Sequence, residues 1–250
     1  MTTGTNPVPS VWARQPAEPD QPALSRAVIV REAVALLDAE GMEALSMRKL
    51  GARLRAGATS LYRHVATKDE LMELAVDEIF GEIVVPDPPD AAGDDWAADG
   101  SDWRAGVVAA AESFRATTLR HPWLAAVLGQ AGLAYLGPNL VAFSDRLAAL
   151  FASAGFAEPN CAIDTILSYV IGMGTTEAAW LTAVARSGET ETAFFARLRP
   201  AAQRATAGHE HVASAYEDEH IDPAEVRDTK FAYGLDVILD GLTARLPRAD

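Results

Sequence analysis

A single cysteine, Cys161, in 250 residues leaves no partner for an intrachain disulfide and rules out a Cys-only zinc site. No uninterrupted apolar run approaches the roughly 18 residues of a membrane-spanning helix. The first residues hold no apolar signal-peptide core, so a cytoplasmic protein with no membrane partner is expected. Glycine-rich phosphate loops, HExxH, GxSxG and paired-cysteine patterns are all missing, which argues against an enzyme. No long period recurs, which excludes a solenoid. Positive charge is scarce as well: 21 Lys and Arg face 35 Asp and Glu, a formal net charge of −14. Apolar side chains are plentiful, at 49 % of residues, enough to bury the core of one or two domains.

Because basic residues are few, their clustering is informative. Between Ser46 and Lys68 stand Arg48, Lys49, Arg53, Arg55, Arg63 and Lys68, with no Asp or Glu among them. A basic island in an acidic chain implies a local polyanion partner. The same stretch carries a helical pattern. Ser46 suits an N-cap, and Leu50 and Leu54 share one face. Arg55-Ala56-Gly57 suits a turn. Ala58 to Val65 suits a second helix, with Leu61 and Val65 inward and Thr59, Ser60, Tyr62, Arg63 and His64 outward. Thr67 and Glu70 form a capping box that opens a third helix. Two short helices around a tight turn fit a helix-turn-helix, whose second helix enters the major groove of duplex DNA.

On that placement, Arg63 can bond a guanine edge, and Thr59 and Ser60 can meet bases or phosphates. Tyr62 and His64 suit phosphate contacts that hold the helix in the groove. Lys68 sits at a helix N-terminus, where backbone amides already favour phosphate.

The rest of the chain is expected to be helical, making the fold class all-α. Residues 1–23 form a proline-rich disordered tail and 24–66 the helix-turn-helix domain. Residues 67–85 form a connecting helix, 86–101 a Pro- and Gly-rich loop, and 102–250 a larger helical domain. In the first domain Ser25 caps a helix that reaches Glu40, with Gly41 as its stop. In the larger one, helices are expected from Asp102 to Arg120, from Pro122, from an Asn139 cap to Ala154 and from Pro159 to Arg186. Others run from Thr190 to Leu198, ending or kinking at Pro200, and from an Asp222 cap to before Pro247. Gly208 to Ile221 is polar and reads as a loop. Gly172 and Gly174 suit close helix packing. In the last helix Phe231, Leu235, Ile238, Leu239 and Leu242 share a face, which can cover the chain's own core or a second copy.

LYRHVATKDEL, preceded by LSMRKLGARL, resembles the DNA-binding domain of TetR-type transcriptional repressors, over about Leu24 to Ile83. The family carries Gly in the turn where this chain has Arg55, and a positive φ there strains an Arg. KFAYGLDVILDGL is similar to the family's final dimerisation helix. HPWLAAVLG and LGPNL resemble the C-terminal domain of the tetracycline-repressor subgroup. The resemblance implies DNA contact at Arg48, Thr59, Ser60, Tyr62, Arg63, His64 and Lys68. It implies a homodimer in which the helix of Ile166, Tyr169, Val170 and Met173 pairs with the last helix. It also implies a small-molecule effector pocket in the larger domain, for which Trp103, Phe114, Trp123, Tyr135, Phe143, Tyr169, Met173 and Trp180 are the candidates. Plain core is the alternative for these side chains.

The expected function is a ligand-responsive repressor that binds a palindromic DNA operator as a dimer. A helical protein-interaction module and an activator with the same DNA-binding mode are the alternatives. No cofactor is expected. Since the tetracycline repressor takes its drug with magnesium, a divalent metal is an open co-effector, but no ligand set can be assigned. His209-Glu210-His211 and the Glu217–His220 run are only loosely chelator-like.

Overall fold

The computed structural model describes residues 24–87, 101–131, 137–213 and 222–246. The expected tail at 1–23, most of the 86–101 loop, Tyr135 and the Glu217–His220 run lie outside the described residues. Among those residues the fold is all-α, with eleven α-helices and one 3-10 turn at Met42–Ala44.

The N-terminal unit contains α1 (Arg26–Glu40), α2 (Met47–Arg53), α3 (Ala58–Leu61) and α4 (Lys68–Phe80). Local chemistry starts three of them. The hydroxyls of Ser25, Ser46 and Thr67 accept from the amides of Val28, Lys49 and Glu70 at 3.3, 3.2 and 3.0 Å. The return bond of the capping box reaches one residue further back than the standard box: Glu70 Oε2 accepts from the Ala66 amide at 2.6 Å. Ile29, Ala33, Leu36, Leu37, Leu50, Leu61, Val65, Leu71, Ala75 and Ile79 are all at most 1 % exposed and form the unit's core. Regular helix in α3 ends at Leu61, and the chain continues in turns to Val65, whose amide donates to the Leu61 carbonyl at 3.0 Å.

The larger part contains α5 (Ser101–Arg120), α6 (Pro122–Ala131), α7 (Pro138–Ser153), α8 (Pro159–Ser187), α9 (Glu191–Ala205), α10 (Glu210–Ala213) and α11 (Pro223–Thr243). The long α8 lies at its centre, with α5, α6, α7 and α11 packed around it. Phe80, Phe114 and Phe143 meet at ring-centroid distances of 5.6–5.7 Å and join α4 to this core. Gly174 packs closely on α5, where an added Cβ would lie 3.2 Å from Thr118; Gly172 faces open space.

Several expected boundaries move. Instead of running to Val84, α4 ends at Phe80; the chain turns so that Ile83 and Val85 are buried and the Val84 amide donates to Ser113 on α5 at 2.8 Å. At the start of α7 the N-cap is Gly137, with Pro138 first in the helix, rather than Asn139. A cap comes from α4: Asp77 Oδ1 accepts the amides of Asn139 and Leu140 at 2.9 and 3.0 Å. Pro200 does not end α9, which continues to Ala205. Pro200 removes one backbone donor from the helix, and no residue of α9 is buried. The expected loop after Gly208 begins with the short α10.

Candidate nucleic-acid interface and effector domain

The turn between α2 and α3 depends on close backbone approach. The Ala56 amide donates to the Gly51 carbonyl at 2.9 Å, and a Cβ on Gly51 would meet the Ala56 carbonyl at 2.7 Å. Arg55 takes a left-handed φ of 49°, which L side chains rarely adopt. The expected strain at this position is therefore present.

Around that turn, two of the six island cations are already occupied. Lys49 pairs with Glu40 and Arg53 with Glu32, both acids on α1. Arg48, Arg55, Arg63 and Lys68 are exposed and form no ion pair among the described residues. Thr59 and Tyr62 are exposed, Tyr62 to 51 %, while Ser60 and His64 are half-buried. Leu61 and Val65 point into the core, as the helical spacing predicts. Arg26 on α1 supports the far end of this surface, its Nε donating to the His64 carbonyl at 3.1 Å. The result is a rigid face of hydroxyls, a phenol, an imidazole and unpaired cations. A DNA duplex offers what such a face can bond: phosphates along its edges and base acceptors in the groove.

Among the described residues, the pocket candidates pack as follows. Phe114 and Phe143 pack with Phe80, and Trp103 packs with Phe151 and Phe156. Trp123 Nε1 donates to Asp38 of α1 at 2.7 Å. The Tyr169 hydroxyl donates to the Phe231 carbonyl at 2.8 Å, and Met173 is half-buried against the core. Trp180 Nε1 donates to Glu191 at 2.6 Å. Most of these side chains belong to or pack against one continuous core, where large rings bury most surface. Grooves of about 330 Å³ between α6 and α8, and about 800 Å³ between α8 and α11, are lined by none of them.

Of the dimer candidates, Ile166, Val170, Phe231, Leu235 and Leu239 are at most 2 % exposed within one chain, covered by the chain's own core. Tyr169, Met173, Ile238 and Leu242 are half-buried on the same core. The large exposed apolar residues of α11 are Tyr233 and Val237, 72 % and 52 % exposed.

A buried ion cluster escaped the sequence reading. Glu177 on α8, 6 % exposed, accepts from Arg115 of α5 at 2.6 and 2.7 Å and from Arg227 of α11 at 2.8 Å. Arg227 also pairs with Glu191 of α9, and Arg115 with Asp228 at 2.7 Å. Burial alone would push the Glu177 carboxyl up, but the two guanidinium groups outweigh it and hold it below the usual range. The signal was an acid on the apolar stripe of α8, in line with Val170 and Gly174 and beside Ala178.

A helical, strand-poor chain with an exposed helix-turn-helix joined to a larger helical body defines a class: the DNA-binding transcriptional regulators. The family described as "Bacterial regulatory proteins, tetR family" matches residues 29–75. The family described as "Tetracyclin repressor-like, C-terminal domain" matches residues 97–246. The chain belongs to the TetR family of transcriptional regulators, which are not enzymes. It is 40 % identical to an HTH-type transcriptional regulator of Saccharopolyspora erythraea, over 68 % of this chain and 69 % of that one. It is 33 % identical to the HTH-type transcriptional repressor DrrR1 of Streptomyces coeruleorubidus, over 92 % and 81 %. Among solved structures it resembles Streptomyces coelicolor ActR in complex with actinorhodin. There the TM-score is 0.70 at 27 % identity, covering 92 % of this chain and all of that one.

Proposed function

We propose that the protein is a dimeric repressor that binds an inverted-repeat operator and leaves it when a small molecule binds the α5–α11 body. The observation that carries this reading is the α2–α3 face, with Arg48, Arg63 and Lys68 exposed and without an ion pair among the described residues, on a protein of net charge −14. Arg63 bonds a base edge, Thr59 and Ser60 meet bases or phosphates, and Tyr62, His64, Arg48 and Lys68 hold the backbone. One such face reads one half-site; two-fold symmetry presents two. The exposed Tyr233 and Val237 of α11 supply the apolar surface for the second copy.

Repression and effector release are supported by the relatives: DrrR1 is named a repressor, and ActR has been solved with actinorhodin and with (S)-DNPA. The effector must bind the DNA-incompetent arrangement more tightly than the competent one. Among the described residues no three metal-ligating side chains gather, and His209, Glu210 and His211 are exposed on or beside α10.

Selection of bound duplexes from a random pool by the full-length protein, at low ionic strength, tests the reading. The expected product is an inverted repeat. A pool that shows no enrichment over a protein-free control overturns it.

A further inference from the structure

His121 opens the corner between α5 and α6 and is 8 % exposed. Its Nδ1 lies 2.7 Å from Asp38 Oδ1 on α1, and its Nε2 lies 3.2 Å from Glu82 Oε2, just past α4. Trp123, 4 % exposed, donates its indole N–H to the same Asp38 oxygen at 2.7 Å. Arg120 donates to Glu82 at 2.8 Å. One cluster thus ties the first helix of the DNA-facing unit, the end of α4 and the α5–α6 corner of the larger body. None of these five side chains belongs to the DNA-facing set.

We infer that Asp38, His121 and Trp123 form a latch that fixes how the helix-turn-helix unit sits on the body, and so sets the half-site spacing the dimer reads. The inference rests on the operator-binding reading above. Directional bonds to one carboxylate oxygen hold an angle in a way that apolar packing, which can slide, does not. The angle matters because moving a half-site by one base pair shifts it by about 3.4 Å and rotates it by about 35°. Asp38, His121 and Trp123 are positioning residues: they reach DNA only through α1.

The test uses the full-length protein and the duplex it selects from a random pool. Affinity is compared between that duplex and versions whose half-sites stand one base pair closer or further apart. The wild type is expected to favour one spacing. In Asp38→Ala and in Trp123→Phe that spacing preference is expected to fall about fivefold or more, while the base preference inside each half-site stays. Glu43→Ala, at an exposed acid in the same unit, removes the same charge as Asp38→Ala and is expected to leave the preference intact.

A folded variant that keeps the wild-type spacing preference overturns the latch. So does an equal loss of base preference within each half-site, or a wild type that accepts every spacing. Should Asp38→Ala fail to fold, Trp123→Phe, which keeps an aromatic ring but loses the indole N–H, decides alone. A wild type that binds no duplex sinks the operator reading itself, and the latch with it.

Discussion

Arg55 takes a left-handed backbone in which an L side chain costs about 1–2 kcal/mol relative to its usual region. Glycine relieves that cost but loses more chain entropy on folding. Arg55→Gly is therefore expected to stabilise the protein by about 0.5–1 kcal/mol, seen as a higher melting temperature. A lower one would mean that the Arg55 side chain makes contacts worth more than the strain. Arg63 and Lys68 are both exposed cations, but their positions differ. Arg63 follows α3 and, in the proposed complex, faces the groove; Lys68 opens α4 and there faces the phosphates. Arg63→Ala should cost about 1–3 kcal/mol and relax preference at one position per half-site. Lys68→Ala should weaken all sequences alike and lower the salt slope by about 1 per half-site. Binding isotherms on the selected operator and its single-base variants, at several salt concentrations, separate the two.

Elements in this fold are held by partners distant in sequence. Asp77 of α4 caps α7, and the fit is so close that a Cβ on Gly137 would lie 2.1 Å from Asp77 Oδ1. Asp77→Ala should cost about 1–2 kcal/mol through the lost cap, and Gly137→Ala should also destabilise, both by urea unfolding. The Glu177 cluster joins α5, α8, α9 and α11. Glu177→Ala strands two partly buried guanidinium groups and should cost about 3 kcal/mol. Because the folded-state carboxyl titrates below its unfolded value of about 4.3, its contribution is full above that pH. It is lost as the pH falls through the folded value. Acid unfolding should therefore be less steep in Glu177→Gln than in the wild type, compared by melting temperature between pH 7 and pH 3.

Across the whole molecule, charge and apolar surface are divided between two ends. Residues 24–68 carry eight basic residues against four acidic ones, while the chain as a whole is at −14. The acidic remainder repels DNA from every face but one, which orients approach. Dimerisation must use surface that the fold of one chain leaves open, so Tyr233 and Val237 matter more than the buried row beside them. Val237→Asp is expected to yield a folded monomer by sedimentation and to weaken operator binding by at least about tenfold, through lost coupling of two half-sites. A variant that remains dimeric would place the interface on another face.

The sequence alone determined what depends on neighbours within a turn of helix. Ser25, Ser46 and Thr67 cap their helices through bonds three residues long. Leu61 and Val65 turn inward because the α-helical period puts them opposite Thr59 and Tyr62. The basic island and its turn, Arg55 strain included, lie in one short stretch, so the exposed cationic face they form was legible in the sequence. Tertiary structure decided the rest, because periodicity tells which side of a helix is apolar but not whose atoms cover it. Phe231, Leu235 and Leu239 are covered by their own chain, and α4 ends early to bury Ile83 and Val85. Asp77 finds α7 and Asp38 finds His121 and Trp123 over 62 to 85 residues of chain. Pairings at that distance are set by how the helices pack against one another.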